Sequence, residues 1–367
     1  MRPVSRQQTG FAPAPAERPS PVTIGATSVG PGRRVYVVAE AGVNHNGDLN
    51  TAVQLVDAAL GTGADAVKFQ AFRAADLVTA DAATVDYQRN ATGDLCQREM
   101  LRQLELGRDD FSVLCEHCRA SGIELLATPF GITDLHLLTG LGVRAIKIAS
   151  TDLNNHPLLE EVARANLPVI LSTGASLAHE LERTVNRLTE LGCRERLILL
   201  HCVSAYPTAW EDANLHRIAA LRERFGRPTG FSDHTCSVET GALAVAAGAC
   251  LLEKHFTLDD TLPGPDHALS LAPDAMAEYI TRVRRAEEAL GDGELSMHAS
   301  EEPVRDGCRK SIVVTRDVRP GDVLDRDILT AKRPSGGISP DEMAQLIGRR
   351  AVVPIPADTR VAWDMVD

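Results

Sequence analysis

The chain has no uninterrupted apolar run near the roughly 20 residues that a membrane-spanning helix requires. Nor is there a basic excess: 38 Lys and Arg stand against 50 Asp and Glu, a net charge of -12. That balance argues against nucleic acid or an anionic membrane surface as a partner. An anionic substrate would therefore have to be held by a few local lysines and arginines. The first apolar strand is not followed by a glycine-rich dinucleotide turn, which counts against a doubly wound nucleotide-binding sheet. Cys115-Glu116-His117-Cys118 has no second ligand pair at zinc spacing and falls in a helical pattern, so these read as structural cysteines. The eight cysteines are scattered, and no secretory signal core precedes them. Reduced thiols and a cytoplasmic location are the expectation.

What is present is a repeat of short strands and helices. Val35–Ala39, Ala66–Gln70, Glu124–Thr128, Ala145–Ile148, Pro168–Ser172, Leu197–Cys202, Thr229–Ser232 and Cys250–His255 read as strands with helical patterns between them. Eight such units over about 250 residues predict a (β/α)8 TIM barrel. Residues 1–33, rich in Pro, Ala, Gln and Ser, are expected to be a disordered leader. The barrel is expected over 34–290, a polar linker over 291–306, and a small β-rich domain over 307–367.

Strands buried on both faces should be apolar throughout, yet these end in polar residues. Side chains alternate along a strand, and counting back from each end gives one inward set. It comprises Tyr36, Val38 and Glu40; Ala66, Lys68 and Gln70; Leu126 and Thr128; and Ala145 and Lys147. The later strands add Ile170 and Ser172; Leu199 and His201; Gly230, Ser232 and His234; and Leu251, Glu253 and His255. In a barrel the C-terminal rim is where chemistry sits.

His234 and His255 are separated by one loop, one helix and one strand, which sets them on adjacent strands at the same rim. Two imidazoles with oxygen donors suit a labile divalent ion such as Mn²⁺ better than closed structural zinc; the bland reading is two rim histidines capping carbonyls. Lys68 and Lys147, with Thr128, Ser150 and Ser172, make a site for a small polyanion, unless each lysine pairs with Glu40 or Asp152. A Schiff-base lysine is the competing chemistry, and a metal site argues against it. Glu40 is the natural proton-transfer group.

Several of these segments resemble the sialic acid (N-acetylneuraminate) synthase family. They are Glu40-Ala41-Gly42-Val43-Asn44-His45-Asn46-Gly47, Lys68-Phe69-Gln70, Lys147-Ile148-Ala149-Ser150 and Leu171-Ser172-Thr173-Gly174. Phe231-Ser232-Asp233-His234-Thr235, Glu253-Lys254-His255-Phe256 and Gly264-Pro265-Asp266-His267 follow in the same order. The resemblance implies a barrel joined to a C-terminal antifreeze-like (SAF) module. It also implies condensation of phosphoenolpyruvate with an open-chain N-acetylated hexosamine such as N-acetylmannosamine, giving a nine-carbon 2-keto acid and phosphate. A legionaminate-type or pseudaminate-type acceptor, a diacetamido-trideoxyhexose, is the alternative.

By the same resemblance His234 and His255 hold Mn²⁺ or Mg²⁺, while Lys68, Asn90, Thr128, Lys147, Ser150 and Ser172 hold phosphate and carboxylate. Glu40 handles protons with help from Asp152. Gln70, Tyr206 and Asp266 face the sugar, and Ser204 and Ser232 complete the substrate shell. Arg333 would reach a partner's barrel in a domain-swapped homodimer. The chain departs from the family pattern at Ser150-Thr151-Asp152, where many relatives carry Ser-Gly-Glu, and at Arg333-Pro334-Ser335-Gly336-Gly337-Ile338. Both touch the acceptor end.

Overall fold

The computed structural model describes residues 19–84, 89 and 96–367. The chain forms two compact units that divide between Asp292 and Gly293. In the first, eight parallel strands close into a barrel: β3 (Tyr36–Gly42), β4 (Ala66–Ala71), β5 (Glu124–Pro129), β6 (Ile146–Ile148), β7 (Val169–Ser172), β8 (Leu197–Cys202), β9 (Thr229–Asp233) and β10 (Leu251–His255). β10 pairs with β3 to complete the ring.

Local chemistry explains why the elements start and stop where they do. The helix Leu49–Thr62 begins at Asp48, whose side chain accepts from the Thr51 backbone N–H at 2.7 Å. It ends at Gly63, whose φ of 83° is open to glycine at little cost. Its buried face, Ala52, Leu55, Val56 and Ala59, packs on the outside of the barrel. Apolar residues on the strands' outer faces join it in one continuous layer beneath the helices.

Inside the barrel, Tyr36, Val38, Ala66, Leu126, Ala145, Ile170, Ile198, Leu200 and Leu251 form a second, separate core. Apolar side chains fill the N-terminal half, so the polar ones are left to the C-terminal mouth.

Three expectations need correction. Residues 19–33 are not a structureless leader: β1 (Val22–Ile24) and β2 (Thr27–Val29) form a hairpin. Its Val22, Ile24 and Val29 are buried against the inner core. The two strands are only three residues each, too short an alternation to stand out in a Pro- and Ala-rich window. In β8 the inward set is Ile198, Leu200 and Cys202, not Leu199 and His201. His201 instead bonds the Ala213 carbonyl at 2.8 Å and stacks on Phe231 of the outer layer. The polar stretch 291–306 is not all linker, since a helix, Glu302–Cys308, starts inside it with Pro303 in its first turn.

The second unit is built on the antiparallel pair β11 (Ser311–Val314) and β12 (Leu329–Lys332), with single bridges such as Val318 to Ile355 and Ala351 to Val366. Ile312, Val314, Leu324, Ile338, Leu346 and Val361 form its core.

Candidate active site

Strand register builds the site. His255 of β10 stands opposite Glu40 of β3, and Glu40 stands opposite Lys68 of β4. Three polar residues therefore form one row across three neighbouring strands. A bulge between Glu40 and Gly42 ends the regular ladder there.

These residues open onto a cavity of about 710 Å³ at the barrel's C-terminal end. Glu40, Lys68, Gln70, Thr128, Lys147, Ser150, Asp152, Ser172, Ser204, Tyr206, Ser232, His234, His255 and Asp266 all line it. Asn90 lies outside the described residues. Arg333 belongs to the second unit, exposed just after β12.

Sequence reasoning placed Glu253 on the inward face but gave it no role, and the structure puts it at the centre of the charge network. Lys68 Nζ lies 3.0 Å from Glu40 and 3.3 Å from Glu253, and it donates to Thr128 Oγ1 at 3.2 Å. Lys147 Nζ lies 3.7 Å from Glu253 and donates to the Ile148 carbonyl at 3.2 Å. Ser232 Oγ donates to Glu253 at 2.8 Å. The parity that selected His255 also selects Glu253, and that was the available signal. Cys202 was missed with the phase of β8.

The electrostatics divide these groups. Burial alone would raise Glu253, but Lys147 and Lys68 overcome it and hold the carboxylate well below its ordinary range. Burial raises Glu40, and the opposing pull of Lys68 does not cancel the effect. Lys68 is kept charged against its burial by Glu253 and Glu40, whereas burial prevails at Lys147 and lowers it. Asp266 is pushed up to about 7 by burial, with Glu40 adding to it.

The two histidines meet at the same mouth, with ring centroids 5.4 Å apart. Burial lowers both, His255 strongly, so each imidazole is neutral at physiological pH. His234 Nδ1 donates to the Val203 carbonyl at 2.7 Å, which leaves the lone pair on Nε2. His255 Nδ1 is buried, has no hydrogen-bond partner among the described residues and lies 3.8 Å from Asp266 Oδ2. With His234 Nε2 3.3 Å from Ser232 Oγ and His255 Nδ1 near Asp266, this neutral pair sets two ring nitrogens among oxygen donors at one mouth, which fits two ligands of a divalent ion. Among the described residues no set of three or more His, Cys, Asp or Glu forms a ready cage, so other ligands would come from water or substrate. Tyr206 packs on the pair, 4.3 Å from the His234 ring.

Hydroxyls complete the polar side. Ser172 Oγ is buried with no partner among the described residues, Ser150 and Ser204 lie 3.1 Å apart, and Asp152 accepts from Asn155 at 2.9 Å. Val43, Leu77, Met100, Leu104 and Phe130 cluster together and give the cavity an apolar stretch of wall.

The model of the NeuB family matches residues 55–295, and that of the SAF domain matches residues 309–367. The chain belongs to the NeuB family. It is 40% identical over 336 residues to an N,N'-diacetyllegionaminic acid synthase of Legionella pneumophila, covering 90% of this chain and 94% of that one. A Campylobacter jejuni protein of the same name is 38% identical over 321 residues, covering 87% of this chain and 96% of its own. Among solved structures, an N-acetylneuraminic acid synthetase of Leptospira borgpetersenii, crystallised with citrate, superposes with a TM-score of 0.71 at 37% identity. That match covers 78% of this chain and 95% of the other. In this NeuB-family chain no helix among the described residues is long and apolar enough to cross a membrane.

Proposed function

We propose that the chain condenses phosphoenolpyruvate with the open-chain aldehyde of an acetamido hexose and water, giving a nine-carbon 2-keto acid and phosphate. The observation that carries this is the row His255, Glu40 and Lys68 across three strands. It puts a candidate ligand, a carboxylate raised by burial and a charged lysine at one mouth.

In this reading Lys68 and Lys147 bind the substrate's phosphate and carboxylate, with the hydroxyls of Ser172, Thr128 and Ser150 beside them. The lysines are buried, so their charges act in a low dielectric. C3 of phosphoenolpyruvate bonds to the aldehyde carbon, a water oxygen adds at C2, and the phosphate leaves from C2. Glu40, which holds a proton more readily than an ordinary carboxylate, takes one proton of the water. The aldehyde oxygen gains a proton as the C–C bond forms, and the water's second proton leaves with the phosphate. Asp152 assists from the lining of the same cavity. His234 and His255 would hold Mn²⁺ or Mg²⁺, which when bound supplies Lewis-acid polarisation of the aldehyde. Gln70, Tyr206 and Asp266 orient the acceptor. A cytoplasmic homodimer in which Arg333 meets the acceptor's N-acetyl group in a partner's barrel belongs to the same proposal.

A diacetamido-trideoxyhexose is the second acceptor reading. The 40% and 38% identities to synthases named for diacetyllegionaminic acid support it. So does the apolar wall of Leu77, Met100 and Phe130, which suits a methyl-bearing deoxy end better than a hydroxymethyl.

The test is phosphate release from phosphoenolpyruvate by metal-stripped protein plus Mn²⁺, with each sugar in turn. Aldehyde-dependent release with a nine-carbon keto acid by mass supports the reading, and the productive sugar names the acceptor. No release with any acetamido hexose would overturn it.

A further inference from the structure

Each candidate metal ligand is preceded by a charged residue that takes no part in the cavity. Asp233 precedes His234 and Lys254 precedes His255, and neither lines the pocket. Strand alternation turns both outward while the histidines turn in. The outward side is not solvent: both are completely buried, with Lys254 Nζ 3.1 Å from Asp233 Oδ2. The register sets Lys254 directly opposite Asp233.

The pair is tied into the loop that leaves β9. Asp233 Oδ1 accepts from the Thr235 backbone N–H at 2.9 Å and from its hydroxyl at 2.8 Å. Asp233 Oδ2 accepts from the Thr240 hydroxyl, and Lys254 Nζ donates to the Thr235 carbonyl and, at 3.3 Å, to Thr235 Oγ1. His234 is thus held between Asp233 and Thr235, residues that share these bonds. On the far side Lys254 Nζ lies 5.5 Å from the centre of the Tyr279 ring.

A buried ion pair is a poor source of stability, because desolvation offsets much of the attraction and an apolar pair of similar volume does as well. What it does impose is register, since the charges accept only one alignment of the two strands. We propose that Asp233 and Lys254 are a positioning pair that fixes the separation and heading of His234 and His255, acting from the outer face of the barrel. The proposal rests on the reading of those histidines as a ligand pair.

The experiment replaces both charges together, Asp233→Leu with Lys254→Met, so that no lone charge is buried. Folding is checked by circular dichroism and thermal unfolding. Binding of Mn²⁺ alone is followed by calorimetry, and modification of each histidine by diethyl pyrocarbonate is mapped by mass spectrometry. The expected result is a folded protein that binds Mn²⁺ about 10–100-fold more weakly, with His234 and His255 modified faster. Wild-type affinity together with wild-type modification rates would reduce the pair to packing and overturn the proposal.

Should wild type bind Mn²⁺ no better than a His234→Ala, His255→Ala variant, the ligand reading fails. The modification rates then decide the positioning claim by themselves. Asp233→Glu is the second variant, in case the double one does not fold. It keeps the charge on a longer arm, and unchanged affinity and unchanged rates there would also overturn the claim.

Discussion

Lys68 Nζ stands 3.0 Å from Glu40 Oε2 with both side chains almost completely buried. The contact holds a charged lysine and a raised carboxylate together where neither could remain alone. Glu253 shares the same lysine, so one cation serves two buried anions.

Lys68→Met takes the nearest cation from both carboxylates, leaving Glu253 with Lys147 at 3.7 Å and Glu40 with the weaker pull of that same lysine. The expected loss is about 3–5 kcal/mol in denaturant unfolding, the range for breaking one side of a buried pair. Lys332→Met is the control, because Lys332 and its partner Asp358 are both exposed. It should cost less than about 1 kcal/mol. Equal losses for the two variants would contradict the assignment of Lys68 to a buried network.

Glu40→Gln keeps shape and leaves Lys68 its second partner, so folding should be little affected. Proton transfer is removed, and kcat for phosphate release should fall by about 10²–10⁴-fold. A kcat within tenfold of wild type would take Glu40 out of the proton path.

Much of this was legible in the chain because barrel strands alternate. Glu40, Lys68, Lys147, Ser172 and the histidines were recovered by counting back from strand ends, and the structure gathers them at one mouth. β8 was misread because Leu197–Leu200 is apolar on both faces and carries no phase, and His201 looked like the better rim residue than Cys202. The Asp233–Lys254 pair was not legible, since two charges at strand ends read as a solvated rim until the helices Thr240–Ala246 and Pro273–Leu290 are packed over them. The hairpin Val22–Val29 was hidden by its neighbours' composition.

Metal removal has a readout independent of turnover. If His234 and His255 hold Mn²⁺, saturating Mn²⁺ at 100 times its Kd stabilises the fold by about 2.7 kcal/mol. Added Mn²⁺ should therefore raise the Tm of chelator-treated protein, and His255→Ala should abolish the increase. An equal increase in the variant would move the ion elsewhere.

Asp134 offers a test of burial against pH away from the mouth. It lies in the first turn of the helix Ile132–Leu141, only 7% exposed. Burial pushes it up to about 6, against the partial relief of Arg73. A carboxyl whose pKa rises on folding binds its proton more tightly in the native state, so its contribution to stability is greatest below about 4, the unfolded value. That contribution is lost as pH rises from about 4 through 6, and above 6 the fold carries the whole cost of a buried charge. Asp134→Asn keeps an oxygen to accept from the backbone but carries no charge. The variant should match wild type at pH 4 and exceed it by on the order of 2 kcal/mol at pH 7.5. Unfolding of both proteins across that range measures the difference, in which the other titrating groups cancel. A gap that does not change with pH would show that Asp134 is as well solvated in the fold as in the unfolded chain.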